Sequence, residues 1–436
     1  MQAYKSWNKR FTKKYIKEHY WDKISKHPSV GLDKITPSKF SDELESNIDI
    51  ILRKVNNGTY KFTRYKQLLI SKGADKPPRC ISVPTIRDKL TLSVINEILM
   101  DVYNEKCTTQ MPQVIINEIM TEKSNFTHFI KIDIKSFFAS IDQRLLISTL
   151  HKNIHKKQLL RLIESAIQTP ALSLPVQSKM PFVKKTKGIP EGLSISNSIA
   201  NVFLSELDKK YSSLPYIKYW RYVDDILILV NKADFEKVKI GISEDISQLK
   251  LSINEKKDEG EINKGFTYLG YSFDANKVSV RESSIYKIEE SLESLLRNNK
   301  SGNLSYLQWK INLKITGFII NKHKYGWLFF FSQITDISLL YHLDELISKY
   351  MNRYGLAGKF AVKRFVRAYH EMRNALHTTH YIPNIDLFSI EDKKNILNDI
   401  YGVKINKLND FQINNYFNRI IAKEIQDIEK DVQAIS

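Results

Sequence analysis

Residues 128–134 alternate strictly, with Ile130, Ile132 and Ile134 on one side and Phe129, Lys131 and Asp133 on the other. This is the period of a strand with one buried face. Such a strand needs partners, and residues 216–222 and 226–230 supply two more, joined by a tight turn at Val223-Asp224-Asp225. That second pattern is a β-hairpin with carboxylates at its tip. If all three strands share one sheet, Asp133, Asp224 and Asp225 converge although they lie far apart in the chain. Singly, an Asp-Asp turn is usually a solvated turn and a strand-end Asp usually a cap, so the surrounding pattern has to decide.

Around this nucleus the pattern is mixed. Residues 1–60 read as helical, with Ile48, Ile51, Leu52 and Val55 at helical spacing until Asn56-Asn57-Gly58 breaks it. Residues 60–84 alternate aromatic and β-branched with basic residues and suggest a hairpin; residues 86–103 follow as a helix. Residues 143–168 read as one helix and 169–190, with four prolines, as a long connection. A helix over 194–207 sets Ile195, Ile199, Val202, Phe203 and Leu207 against a small polar face of Ser194, Ser198, Asn201 and Ser205. Then come a helix at 235–249, a short strand at 251–253, a hairpin around 266–273, and a mostly helical remainder from about residue 283. The fold class is α+β.

Composition limits the function. With 42% hydrophobic residues in 436, the chain can bury a sizeable core. Lys plus Arg number 67 against 48 Asp plus Glu, a formal charge of +19 that attracts polyanions, nucleic acid first among them. Two cysteines, Cys80 and Cys107, exclude a disulfide framework and a Cys-based zinc module and fit a reducing cytosol. No stretch approaches the roughly 18–20 apolar residues of a membrane span, so a soluble cytoplasmic protein is expected.

Two-metal phosphoryl transfer needs acidic side chains that fix a pair of divalent ions about 3.5–4 Å apart. The residues that would do this occur in a telling order. Lys-Ile-Asp133-Ile-Lys-Ser-Phe-Phe138 is followed by Gly188-Ile-Pro-Glu-Gly192-Leu-Ser, Tyr222-Val-Asp224-Asp225, Asn254-Glu-Lys256-Lys257 and Phe266-Thr-Tyr-Leu-Gly270. This series resembles the successive palm motifs of reverse transcriptases. Upstream, Gly31-Leu-Asp33-Lys-Ile-Thr36 and Lys76-Pro-Pro-Arg79-Cys-Ile-Ser-Val-Pro84-Thr-Ile-Arg87-Asp88 are similar to the finger motifs of group II intron and retron enzymes, so the resemblance spans about residues 31–275.

The resemblance implies a right-hand polymerase. An N-terminal helical segment (1–60) would precede fingers (61–127), an antiparallel palm with helices (128–275), and a helical thumb and C-terminal region (276–436). Asp133 and Asp224 would be direct ligands of two Mg2+ ions, Mn2+ being the alternative, with Asp225 supporting. Lys76 and Arg79 match positions that grip the triphosphate of an incoming dNTP, as an ammonium and a guanidinium suit. Phe138 falls where the family places an aromatic gate against a 2′-hydroxyl, with Phe137 able to take that role instead. Gly192 lets a base pair approach, and the polar face of the following helix would run along the template. Glu191 departs from the family, which mostly has Gln there; a carboxylate cannot donate the amide's hydrogen bond. Lys257, or Lys256 beside it, matches the general acid for pyrophosphate. Tyr222, and Leu269 and Gly270 of the primer-grip hairpin, would contact nucleic acid.

Farther on, Ile315-Thr-Gly317-Phe, Tyr325-Gly326-Trp327, Lys363-Arg364-Phe-Val-Arg367-Ala-Tyr369 and Tyr381-Ile-Pro-Asn-Ile-Asp386 resemble the C-terminal region of bacterial "unknown group", defence-associated reverse transcriptases, the type 2 members most of all. That resemblance implies a structured non-coding RNA as template and candidate primer, a cDNA product and a role against phage. Lys359, Lys363 and Arg367 lie four residues apart, so one helix face would present them to phosphate. Template-independent or protein-primed synthesis, an inactive RNA-binding polymerase scaffold, and intron mobility are the alternatives.

Overall fold

The computed structural model describes residues 1–25, 29–71, 77–173, 183–255, 258–298, 302–406 and 408–432; Lys76, Lys256 and Lys257 fall outside them. Helices joined to short, largely antiparallel sheets make the chain α+β, as its pattern predicts. It forms two compact units, residues 1–110 with 128–259, and residues 111–127 with 260–436.

In the first unit the helix Leu44–Asn56 buries Ile48, Ile51 and Val55, the stripe its spacing marks. The helix Ile86–Tyr103 has no exposed residue and puts its apolar side chains in the core. Thr85 caps it by accepting from the Asp88 amide. Asp88 is itself buried, taking hydrogen bonds from the Tyr60 hydroxyl at 2.7 Å and the Thr63 amide at 2.9 Å, and burial pushes its carboxyl above the ordinary value. Strands β1 (Tyr65–Ile70) and β2 (Arg79–Val83) pair as the expected hairpin.

The main sheet takes its first strand from β3 (His128–Asp133). Strand β4 (Ala171–Leu172) runs parallel to β1 instead. With β5 (Ile217–Tyr222), β6 (Asp225–Val230) and β7 (Asp258–Glu261), β3 forms a four-stranded sheet in the order β5-β6-β3-β7. Two expectations are corrected here. Residues 251–253 touch the sheet only through an isolated Ile134–Ile253 bridge, and the fourth strand is the charge run at 258–261. An edge strand tolerates such polarity, and Lys131 on β3 meets Asp258 at 2.8 Å. Residues 143–168 form two helices, Gln143–His151 and Lys157–Gln168. The apolar spacing does not register the break, because the fully buried Ile154 between them belongs to the same core.

In the second unit, β8 (Phe266–Tyr268), β9 (Tyr271–Phe273) and β10 (Val278–Val280) form a meander, β8 and β9 turning at Leu269-Gly270, both with positive φ. A hairpin absent from the expected helical remainder, β11 (Phe318–Ile320) with β12 (His323–Tyr325), turns at Asn321-Lys322, also both positive in φ. The Asp386 carboxylate accepts both turn amides, at 2.6 and 2.8 Å, and so holds a conformation those residues resist. The helix Asp410–Lys430 buries Ile413, Phe417, Ile421 and Ile428, and its Glu424 and Asp427 hold Lys310 at 2.6 and 2.8 Å. Burial alone would lower the Lys310 ammonium; the two carboxylates outweigh it and leave it raised.

Lys359, Lys363 and Arg367 do not share a helix. The helix starts at Phe365, where the Asp344 carboxylate, from the helix Ile337–Arg353, accepts the Phe365 amide at 2.6 Å. A cap supplied from elsewhere in the chain set that boundary, which local sequence cannot show.

Asp88→Ala leaves the buried Tyr60 hydroxyl without its carboxylate acceptor and should cost about 1–3 kcal/mol of stability. Urea unfolding followed by circular dichroism measures it; an unchanged midpoint would show that the Asp88 contacts contribute nothing.

Candidate active site

Strands β3 and β6 pair antiparallel with Asp133 directly opposite Asp225. Directly opposed residues on such strands have Cα atoms about 4.5–5.5 Å apart and side chains on one face. Across β6 the partner of Asp225 is Tyr222, so Tyr222, Asp225 and Asp133 form one row. Burial raises the Tyr222 phenol. The turn between β5 and β6 is shorter than expected: Val223 and Asp224 make it, and Asp225 is already strand. The Ile134 amide donates to the Asp224 carbonyl at 3.2 Å, tying the turn to the end of β3. Ile132 and Ile226, one step back, are opposed and buried, so the core beneath fixes the register that aligns the carboxylates.

Two residues that sequence reasoning did not assign a role hold this end of the sheet. Asn254 donates its side-chain amide to Asp133 Oδ2 at 2.6 Å and its backbone amide to the Asp133 carbonyl at 2.9 Å. Arg221 is buried and paired twice with Asp208, Nε to Oδ1 at 2.7 Å and Nη2 to Oδ2 at 2.6 Å. Its Nη1 donates to Asn201 Oδ1 at 3.1 Å and to the Val223 carbonyl at 2.8 Å. Val223 has φ of +58°, a left-handed conformation costly for a β-branched residue, which persists only where neighbours enforce it. The Arg221 guanidinium is that enforcement. The signal in the sequence was an arginine immediately before the Tyr222 motif, but Asp208 and Asn201, its partners on the helix Ser196–Ser212, are fixed only by packing.

The small polar face of that helix does not front a template. Ser198, Asn201 and Ser205 are buried, and Ser198 donates to Asn96 Oδ1 at 2.6 Å while Asn201 donates to the Cys107 carbonyl at 3.2 Å. The helix is embedded on most sides, and its small residues meet protein.

Residues 188–192 lie against both neighbouring segments. The Ile189 amide donates to the Phe138 carbonyl and the Ser82 amide to the Glu191 carbonyl, each at 2.7 Å. Gly188 has φ of +77°, and a Cβ there would meet the Ala139 backbone at 2.7 Å, so only glycine fits. Gly192 is tight as well, its virtual Cβ 2.6 Å from Ile81 Cγ2. Phe137 and Phe138 are both buried with ring centroids 5.5 Å apart. Arg79, at the start of β2, forms an ion pair with Glu191, its Nε donating to Oε2.

Lys76 and Lys257 lie outside the described residues. Leu269, Gly270, Lys363 and Arg367 belong to the second unit. Lys363 is partly buried with its ammonium on the Tyr381 carbonyl, while Arg367 stacks 4.5 Å from the Tyr381 ring centroid.

Asp133 is exposed, and Asp224 and Asp225 are part-exposed. Among the described residues no group of three or more His, Cys, Asp or Glu side chains stands close enough to hold a metal ion by itself. Carboxylates repel one another, and the Asp133 side chain engages Asn254. This donor set fits hard ions such as Mg2+, which bind one or two carboxylates and complete their shell with water and phosphate.

Paired strands set Asp133 opposite Asp225, with Asp224 in the adjoining turn and the glycine loop at 188–192 alongside, an arrangement suited to nucleotidyl transfer. Residues 70–273 match the family described as reverse transcriptase (RNA-dependent DNA polymerase). Protein YkfC of Escherichia coli K12 is 21% identical over 336 residues, covering 65% of this chain and 85% of YkfC. The group II intron-encoded protein LtrA of Lactococcus lactis is 28% identical over 182 residues, 40% of this chain but only 29% of LtrA. The structure of telomerase from Candida albicans with a telomeric RNA fragment aligns over 92% of this chain and 68% of that one, with 11% identity and a TM-score of 0.46. Among the described residues no helix is long and apolar enough to cross a membrane.

Arg221→Lys keeps the charge but loses the paired contact to Asp208 and the reach to Val223. DNA synthesis should fall about 10- to 100-fold, the usual effect of losing a group that orients metal ligands, with the Mg2+ concentration for half-maximal rate raised. Primer extension across a Mg2+ series, with a melting curve of each protein, checks this. Unchanged Mg2+ dependence with a lowered melting temperature would mean that Arg221 only stabilises the fold.

Proposed function

We propose that this chain is an RNA-directed DNA polymerase that copies an associated structured non-coding RNA into cDNA by two-metal nucleotidyl transfer, in the bacterial cytoplasm and in defence against phage. The observation that carries the catalytic reading is the register that sets Asp133 opposite Asp225 with Asp224 in the adjoining turn. Two divalent ions bound there would activate the attacking 3′ oxygen and neutralise the triphosphate. Asp133 and Asp224 are the proposed direct ligands and Asp225 the support, with Asn254 orienting Asp133. Arg79, with Lys76, receives the triphosphate of the incoming dNTP. Lys257 protonates the departing pyrophosphate, and the Leu269-Gly270 turn holds the primer end. Lys363 and Arg367 contact the nucleic acid backbone, to which a charge of +19 is suited. The defence role and the dedicated RNA rest on the resemblance of the C-terminal motifs alone.

Purified protein incubated with the structured RNA encoded beside its gene, Mg2+ and labelled dNTPs should yield DNA, and Asp224→Ala with Asp225→Ala should yield none. Product persisting in the double variant would sink the catalytic assignment; protection of cells by that variant would favour the scaffold alternative. The likeness to LtrA supports a second reading, an intron-associated enzyme, and sequencing the RNA that copurifies separates the two.

For sugar selection, Phe138→Ala should raise ribonucleotide incorporation by at least about tenfold, the scale on which a lost steric block acts. Gel analysis of products made with rNTPs against dNTPs measures it. If Phe137→Ala relaxes selection and Phe138→Ala does not, the neighbouring ring is the gate.

A further inference from the structure

Glu191 stands out because its carboxylate is committed to the one fingers arginine expected to meet phosphate. Arg79 offers five N–H donors. Nε is taken by Glu191, and Arg79 has no other partner among the described residues. The two Nη groups therefore present an open fork. The pair is accessible, Arg79 42% and Glu191 26% exposed at the side chain, so a solute can reach it.

Glu191 cannot easily withdraw. Its carbonyl accepts from the Ser82 amide, and its backbone bridges in parallel to Ile81, two residues after Arg79. On one side Gly192 is wedged against Ile81; on the other, the Pro190 carbonyl accepts from the Ser196 hydroxyl at 2.5 Å. The same loop rests on the Phe138 carbonyl, in the segment that leaves Asp133. A fixed negative charge thus lies within contact of the guanidinium, on the loop that joins β2 to the end of β3.

We propose that Glu191 is a positioning and affinity-setting residue for the incoming nucleotide. It aims the guanidinium by holding Nε, and it weakens triphosphate binding by competing for the same cation. This rests on the polymerase reading, in which Arg79 receives the triphosphate. A glutamine at 191 would still accept from Nε but would leave the arginine's charge uncompensated, so nucleotide would bind more tightly. The enzyme built with glutamate is tuned to a higher working dNTP concentration.

The test uses the full chain with an RNA template and annealed DNA primer, comparing wild type, Glu191→Gln, Arg79→Ala and the double variant. Steady-state extension and the binding of a fluorescent dNTP with Mg2+ are measured together. Glu191→Gln should lower both KM and Kd for dNTP by about two- to fivefold, the range open to an accessible ion pair, with kcat within about twofold of wild type. The gain should shrink at high salt and vanish in the Arg79→Ala background. A Glu191→Gln protein that binds dNTP no more tightly than wild type, or the same gain without Arg79, overturns the proposal while leaving the polymerase reading intact. Absence of any DNA synthesis by wild type would sink that reading and this proposal with it, even if Glu191→Gln bound dNTP more tightly. No dNTP binding by wild type at all would overturn both.

Discussion

The antiparallel pairing of β3 with β6 is the constraint on which the candidate chemistry depends. Because side chains alternate with a period of two, slipping the pairing by one residue would send Asp225 to the opposite face from Asp133. What resists the slip is the alternation of β3, where Ile130 and Ile132 are buried while Lys131 and Asp133 are not; β6 is buried on both faces, Leu227 and Leu229 as fully as Ile226 and Ile228. The carboxylates therefore owe their meeting to hydrophobic burial a few residues away, and their own mutual repulsion is tolerated because they stand at the open end of the sheet.

Around that end, polar groups do the finer placement. Asn254 fixes the Asp133 carboxylate, and Arg221 fixes the turn before Asp225 while held by a part-buried paired contact with Asp208. The three aspartates are left accessible; the Arg221 side chain that braces the turn is sequestered, whereas the Asn254 contact lies open to solvent. Arg221 keeps Val223 in a conformation it would not choose by itself, so the geometry of the turn depends on a helix lying under the sheet. Glu191 repeats the theme across the glycine loop, with one carboxylate bound to one guanidinium between two segments whose backbones are already locked together.

The second unit follows the same logic with different parts. Asp344 starts the helix at Phe365, Asp386 holds the Asn321-Lys322 turn, and Glu424, Asp427 and Asp431 neutralise Lys310 and Lys314 in the interior. A few of the acidic groups of this basic chain thus act as internal fasteners. A buried pair of this kind is strongly destabilising to break because the remaining charge cannot be rehydrated.

Strict alternation at 128–134, the apolar runs either side of Val223-Asp224-Asp225, and the helical stripe ending at Val55 were legible in the sequence, because each is a local period that one face of a strand or helix imposes. The strand-end and hairpin-tip positions of the aspartates were legible for the same reason, but that Asp133 stands opposite Asp225 came from pairing between distant strands, and Gly192, read as room for a base pair, is packed against Ile81. What local periodicity could not carry was set by partners distant in the chain. The break near Ile154, the charge run that became a strand at 258–261, the helix start at Phe365 and the inward turn of Ser198 and Asn201 all depend on which surfaces came to face one another. The linear sequence determined which residues could become strand, helix or ligand, since those preferences act over a few neighbours; only the tertiary structure decided that Arg221 would brace the carboxylate turn and Glu191 would face Arg79, because an ion pair is defined by distance in space.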